Sequence, residues 1–294
     1  MAVEERDPHT GYMTTGHEWN GITELNRPVP KAIWLFLLST VIFSIVWWVL
    51  MPAWPLGDTY TRGVLGVDQR ERVAKDLAAA AARRADAMAK INALSFSEIQ
   101  ADPALMQFVR DSGRMMFGDN CAVCHGVNGQ GGPGFPDLTD QAWLWGRDPD
   151  TVAETVRVGI NADHPETRIS QMMAFGRDGI LDRESILNVV AYVRSLSQSA
   201  AIEVERLDPG RQVFAENCAA CHGENAEGDT EMGAPNLTDH SWLYGGDVQS
   251  VFMSVYHGRQ GQMPSWEGRL TEAERKILTL YALDLGNKRY ARSE

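Results

Sequence analysis

A chain of 294 residues has room for two or three compact units, each burying its own core. Its formal charge of −12 argues against a nucleic-acid partner. The acidity suits a basic protein partner steered in by the field, or simply keeps the chain soluble.

Residues 1–31 are polar and lack a sustained hydrophobic period, and Met13–Pro30 is rich in turn formers. The expectation is an irregular N-terminal tail with His17 on its surface. Residues 32–51 read AIWLFLLSTVIFSIVWWVLM, an uncharged apolar run long enough to cross a bilayer as a helix. The run is too long and too far from the N-terminus for a signal-peptide core. Pro-Ala-Trp-Pro follows it where a cleavage site would have small residues. It therefore reads as an uncleaved anchor, with Trp47, Trp48 and Trp54 suited to the membrane interface. A periplasmic segment over 52–102 follows, whose charged, alanine-rich stretch (about 67–94) predicts a largely solvated helical stalk broken at Ser97–Pro103.

Beyond the stalk, one pattern occurs twice. Asp102-Pro103 opens a helix, with Asp as N-cap and Pro at the first position, running to about Phe117; Asp208-Pro209 plays the same part in the second copy. Each helix leads into a C-x-x-C-H motif: Cys121-Ala122-Val123-Cys124-His125 and Cys218-Ala219-Ala220-Cys221-His222. This is the attachment signature of a c-type haem. The two thiols add to the haem vinyl groups, and the histidine binds the iron. The motifs use every cysteine in the chain, leaving none for a disulfide. Two covalently bound haems c are expected. Such attachment in bacteria takes place outside the cytoplasmic membrane, which orients the anchor: N-terminus cytoplasmic, haem domains periplasmic. The flanking charges alone leave that choice open.

After each motif the copies align closely. PDLTDQAWLWGRD (136–148) matches PNLTDHSWLYGGD (235–247), and Gln171-Met172-Met173 matches Gln262-Met263-Pro264. Each copy closes with an amphipathic helix. The first, at about 182–196, buries Ile186, Val189, Val190 and Val193; the second follows the capping box Thr271-x-x-Glu274. The predicted fold is mainly α: one N-terminal transmembrane helix followed by two tandem cytochrome c-like haem domains, 103–199 and 207–294.

Methionine is the usual second axial ligand of a c-type iron. Met172 and Met263 occupy equivalent places before the closing helices, so the expected pairs are His125 with Met172 and His222 with Met263. Met173, standing where the second copy has Pro264, is the alternative to Met172. Met115, Met116, Met232 and Met253 are assigned to core packing. His164, His240 and His257 are rival ligands without equivalent positions in the two copies, and read as surface or pocket-wall residues. Trp143, Trp242 and Tyr244 are candidate pocket aromatics, and Arg259 a candidate propionate partner. A zinc site would need its C-x-x-C pairs far closer than Cys121 and Cys218, and no hydrolase or phosphate-binding pattern is present. No catalytic residue is assigned.

The whole length resembles the dihaem subunit, CcoP or FixP, of cbb3-type cytochrome c oxidases. The resemblance rests on Thr15-Gly16-His17-Glu18-Trp19-Asn20-Gly21-Ile22 before the anchor and Met51-Pro52-Ala53-Trp54-Pro55 after it. It rests equally on the paired LTD-x-x-W-L-[WY]-G and Gln-Met-x-x-[FW] segments. Asn20 stands where that family commonly has Asp, and Met173 where it has Pro. The resemblance implies an inner-membrane electron relay without an oxygen-reducing centre of its own. Its partners would be a cytochrome c donor, a monohaem cytochrome subunit and a haem–copper catalytic subunit. A free-standing dihaem shuttle, the cytochrome subunit of a periplasmic dehydrogenase and a dihaem peroxidase are the competing readings.

Overall fold

The computed structural model describes residues 5–197 and 203–290. Residues 1–4 and the expected domain ends at 198–199 and 291–294 lie outside them. The chain divides into two compact units, Met1–Ala82 and Arg83–Glu294.

In the first unit the expected irregular tail is instead a β-hairpin. Strand β1 (Thr14–Trp19) pairs antiparallel with β2 (Ile22–Leu25), setting Trp19 opposite Ile22. Asn20 and Gly21 turn the chain at φ 52° and 84°. That left-handed pair is a type I′ turn, for which Asn-Gly is a favoured sequence. His17 is exposed on β1, 3.9 Å from Glu24. The apolar run forms helix α1 (Lys31–Leu50), with a mean hydropathy of 2.3 and no buried residue. The hydroxyls of Ser39, Thr40 and Ser44 donate to the carbonyls of Leu35, Leu37 and Thr40. They therefore need no water, as an apolar surround requires. A second small hairpin pairs β3 (Pro55–Leu56) with β4 (Thr59–Tyr60).

Helix α2 (Gln69–Ala93) is the alanine-rich helix, buried only at Ile91. It ends about where expected, but the break expected over Ser97–Pro103 is mostly helical: Ser95 caps a further helix, α3 (Phe96–Ala101), in a capping box with Glu98. In the second unit, Asp102 caps α4 (Pro103–Asn120) by accepting from the Ala104 and Leu105 amides. The motif helices are α5 (Ala122–His125) and α9 (Ala219–His222). Between and beyond them lie α6 (Pro149–Val158), α7 (Arg183–Ser197), α8 (Leu207–Asn217), α10 (Val248–His257) and α11 (Glu272–Tyr290). Asp208 lies in the first turn of α8 rather than capping it; a 3-10 turn over Val204–Arg206 leads in instead.

The two copies do not close on themselves. Helix α4 packs across α11, and α8 packs across α7. A Cβ at Gly113 of α4 would sit 2.7 Å from Cβ of Tyr281, and one at the equivalent Gly210 of α8 would sit 2.8 Å from Cβ of Tyr192. The same tyrosines tilt against Phe117 and Phe214, with ring centroids at 5.6 and 5.5 Å. One core joins Val109 and Phe117 to Ile277 and Leu280; the other joins Ile186, Val189, Val190 and Val193 to Phe214 and Val251. The buried face expected of α7 is therefore present, but it completes the other copy. Packing therefore runs across the expected boundaries: one lobe (the second) is the continuous stretch from about Met172 to Arg259, and the other (the first) is assembled from chain on both sides of it.

Side-chain chemistry favours the exchange. Arg110 donates to both carboxylate oxygens of Asp284, at 3.0 and 3.1 Å. Their counterparts in the repeat are Leu207 and Ser195, so chain-order packing would set Arg110 against a serine and Asp284 against a leucine. A charge-assisted bidentate pair is worth more than a neutral contact, and losing one partner strands the other. A secreted, haem-loaded fragment of residues 166–261 should therefore melt cooperatively by circular dichroism. A fragment of 207–294 has no partner for α8 and should show no such transition; the opposite result would reject the exchange.

Candidate haem-binding site

Both motifs are built alike from the backbone up. Cys121 and Cys218 are the C-caps of α4 and α8, their amides bonded to the carbonyls of Phe117 and Phe214. One helical turn then carries each histidine round. His125 Nδ1 lies 3.1 Å from the Pro136 carbonyl and His222 Nδ1 3.0 Å from that of Pro235. A carbonyl accepts only from N–H, so the proton is on Nδ1 and the Nε2 lone pair is left for a metal. Burial lowers the pKa of both imidazoles, against a smaller opposing effect of that hydrogen bond, which favours their neutral form. Burial, then the neighbouring Cys124 or Cys221, pushes the thiols of Cys121 and Cys218 up to about 11. They are poor thiolates, which speaks against redox or nucleophilic use of the pair.

The motifs open on one continuous cavity of about 2100 Å³, which Met172, Met263, Trp143, Trp145, Trp242, Tyr244 and Arg259 also line. Met172 packs with the core that holds Cys218, Leu237 and Trp242, the second lobe. The loop of Met263 belongs to the first: the buried Trp266 donates its amide to the carbonyls of Val156 and Arg157, each at 3.2 Å. The methionine expected for each histidine thus lies with the other one. Met173 is 54% exposed, whereas Met172 is partly buried.

Backbone pairing fixes both methionine loops. Met172 and Arg259 exchange amide–carbonyl bonds of 2.8 and 3.1 Å, and Ile160 and Met263 exchange two of 2.9 Å. Gly159 and Gly258 precede Ile160 and Arg259, both at φ 70°. A Cβ at Gly159 would stand 2.5 Å from the Met263 carbonyl, and one at Gly258 would strike that of Met172. Only glycine meets both demands. Further along, Glu267 accepts from Arg157 at 3.1 Å and from His164 at 2.7 Å, tying the Met263 segment to α6.

Of the remaining expected residues, His240 lines the cavity at an exposed position and His257 lies edge-on against Tyr256. Met115, Met232 and Met253 are exposed rather than core residues; Met116 alone of the four packs on the first core. Arg259 stacks over Tyr244 at 4.2 Å and donates to Ser254. Sequence reasoning passed over Trp145, although it is the counterpart of Tyr244. Its ring lies where a side chain at Gly233 would go, and Arg168 stacks on it at 4.8 Å.

The cavity fits haem on an observation independent of the motifs. The indole N–H groups of Trp145 and Trp242 are buried without a partner among the described residues. Unpaired buried donors are costly, and haem propionates are acceptors of the right kind. Trp143, by contrast, donates to the Asp140 carbonyl at 3.2 Å.

The comparisons agree. Residues 11–58 match the N-terminal domain of the cbb3 oxidase protein FixP, 111–197 cytochrome c, and 205–281 subunit III of cbb3-type cytochrome c oxidase. The FixP subunit of Bradyrhizobium diazoefficiens is 44% identical over 96% of this chain and 97% of its own length. The CcoP subunits of Azospirillum brasilense and Cereibacter sphaeroides are 44% and 42% identical, each over more than nine-tenths of both chains. The chain belongs to the CcoP/FixP family of cbb3-type cytochrome c oxidase subunits. Its cytochrome c segments imply haem c binding, as the two C-x-x-C-H motifs did. In this CcoP/FixP chain, Trp242→Phe removes a buried donor while keeping most of the ring. It should cost about 1.5–3 kcal/mol of thermal stability in the haem-loaded protein. It should also lower the midpoint potential of one haem, because a less shielded carboxylate favours ferric iron. Redox titration checks this; unchanged potentials would separate Trp242 from the propionates.

Proposed function

We propose that this chain is the dihaem electron relay of a cbb3-type oxidase. It would pass electrons from a cytochrome c donor to the monohaem and haem–copper subunits, where oxygen is reduced. The observation that carries the reading is that each C-x-x-C-H motif shares a lobe with one methionine loop. Bound through Cys121, Cys124, Cys218 and Cys221, two haems c would supply one-electron ferric/ferrous couples. His125 would be paired with Met263 and His222 with Met172, the reverse of chain order.

The residues do the rest. The Pro136 and Pro235 carbonyls accept from Nδ1 of His125 and His222, which would leave each Nε2 free to hold an iron. Met263 and Met172 would hold the same irons through their thioethers, which would favour the ferrous state and leave no room for a small-molecule ligand. That favours a relay over a peroxidase, which needs an open iron. Partial burial of these four side chains would limit reorganisation by water. The continuity of the cavity across both motifs supports transfer between the two haems within one chain. Helix α1 would anchor the chain in the inner membrane with its N-terminus cytoplasmic, and α2 would serve as the periplasmic stalk.

Met172→Leu and Met263→Leu should each remove about half of the methionine–iron charge-transfer band, and Met173→Leu none. In a single-haem form lacking Cys218, Cys221 and His222, Met263→Leu should abolish the remaining band and Met172→Leu should spare it. The converse would restore chain-order ligation. Purification from mild detergent should bring down the haem–copper subunit; recovery of the chain alone would favour a free-standing shuttle.

A further inference from the structure

The chain passes between the lobes twice, after Ile160 and after Arg259, and one side chain stands where the two passages meet. The Asn161 carboxamide donates Nδ2–H to the Ser170 carbonyl at 2.8 Å and to the Gly261 carbonyl at 2.7 Å, and its Oδ1 accepts the Ser170 amide at 3.2 Å. Ser170 lies two residues before Met172, and Gly261 two residues before Met263. One amide group thus holds the same position of both methionine loops.

The residue type answers the geometry. Asn161 sits at φ 47°, a left-handed conformation that asparagine tolerates better than most residues. Its own amide donates to the Arg168 carbonyl at 2.8 Å, which fixes the direction of the side chain. A carboxamide alone among short side chains offers two N–H donors and an acceptor together. The repeat does not duplicate it: its counterpart, Gln260, is exposed. The crossing therefore has one tie for two loops.

We propose that Asn161 is a positioning residue for both axial methionines, coupling ligation at the two irons through one carboxamide. The proposal rests on the reading of Met172 and Met263 as iron ligands. Losing the carboxamide leaves the Ser170 and Gly261 carbonyls without their donor. Each loop then keeps its neighbouring backbone bridge, at Met172–Arg259 or Ile160–Met263, but loses the side-chain tie that it shares with the other loop. Both methionines yield more readily to a competing ligand, by a factor that one or two hydrogen bonds set at about tenfold.

The test uses the full haem-loaded chain in detergent, with imidazole as the competing ligand. The two upfield methionine methyl resonances of the ferrous protein report the two sites, and Met172→Leu and Met263→Leu assign them. Asn161→Gly keeps the left-handed backbone without the amide. Asn161→Asp keeps the size and the acceptor without the donors, and serves if the glycine variant does not fold. Either should shift both resonances and tighten imidazole binding at both ferric irons about tenfold; Gln260→Gly should do neither. A response at only one iron, or lowered thermal stability with unchanged imidazole affinity, overturns the proposal. If Met172→Leu and Met263→Leu leave both resonances in place, it is the ligand reading that fails.

Discussion

The backbone pairing at the crossing of the two lobes is the constraint on which the second unit depends. Ile160 with Met263 and Met172 with Arg259 form two short antiparallel bridges related by the repeat. Each sets a methionine against the end of a helix, α6 or α10, that belongs to the same lobe. The glycine ending each helix lets the methionine's own carbonyl come close. Because the bridges lie where the chain changes lobe, they fix methionine position and connectivity together. The closing helices follow: α7 begins on the second lobe and packs against α8 and α10, while α11 returns to α4 and α6.

Much of this was legible in the sequence because it rests on local chemistry. The motifs, the Asp102 cap, the Thr271–Glu274 box and the buried face of α7 each depend on residues a few positions apart. The exchange was not legible, because a repeat supplies two copies of every element without saying which copies meet. Both arrangements satisfy the same hydrophobic pattern. What separates them is a long-range match such as Arg110 with Asp284, whose significance appears only once the helices are side by side. The hairpin before the anchor is a different case: Asn20-Gly21 is a strong turn signal, masked by the polar composition around it. The exposed methionines show a third limit, since thioether hydrophobicity does not say which face of a helix a residue occupies.

The two lobes are related in fold but not in how they hold their methionine segments. In the first, Arg157 gathers Glu154, Glu166 and Glu267 at 2.8, 2.7 and 3.1 Å, and His164 adds a bond to Glu267. Arg157 and His164 hold the pKa of Glu267 below the usual carboxylate value, the histidine more strongly. The carboxylates are exposed and such pairs are screened by solvent, so the cluster orients the segment more than it stabilises the fold. In the second lobe the counterparts of Arg157 and Glu267 are Tyr256 and Gly176. There the Tyr256 ring fills the space beside Gly176, with Phe252 stacked on it at 5.8 Å. One segment is held by charge and the other by aromatic packing. With His/Met ligation at both irons, a difference in potential between the sites would come from such surroundings, because the ligand atoms are the same.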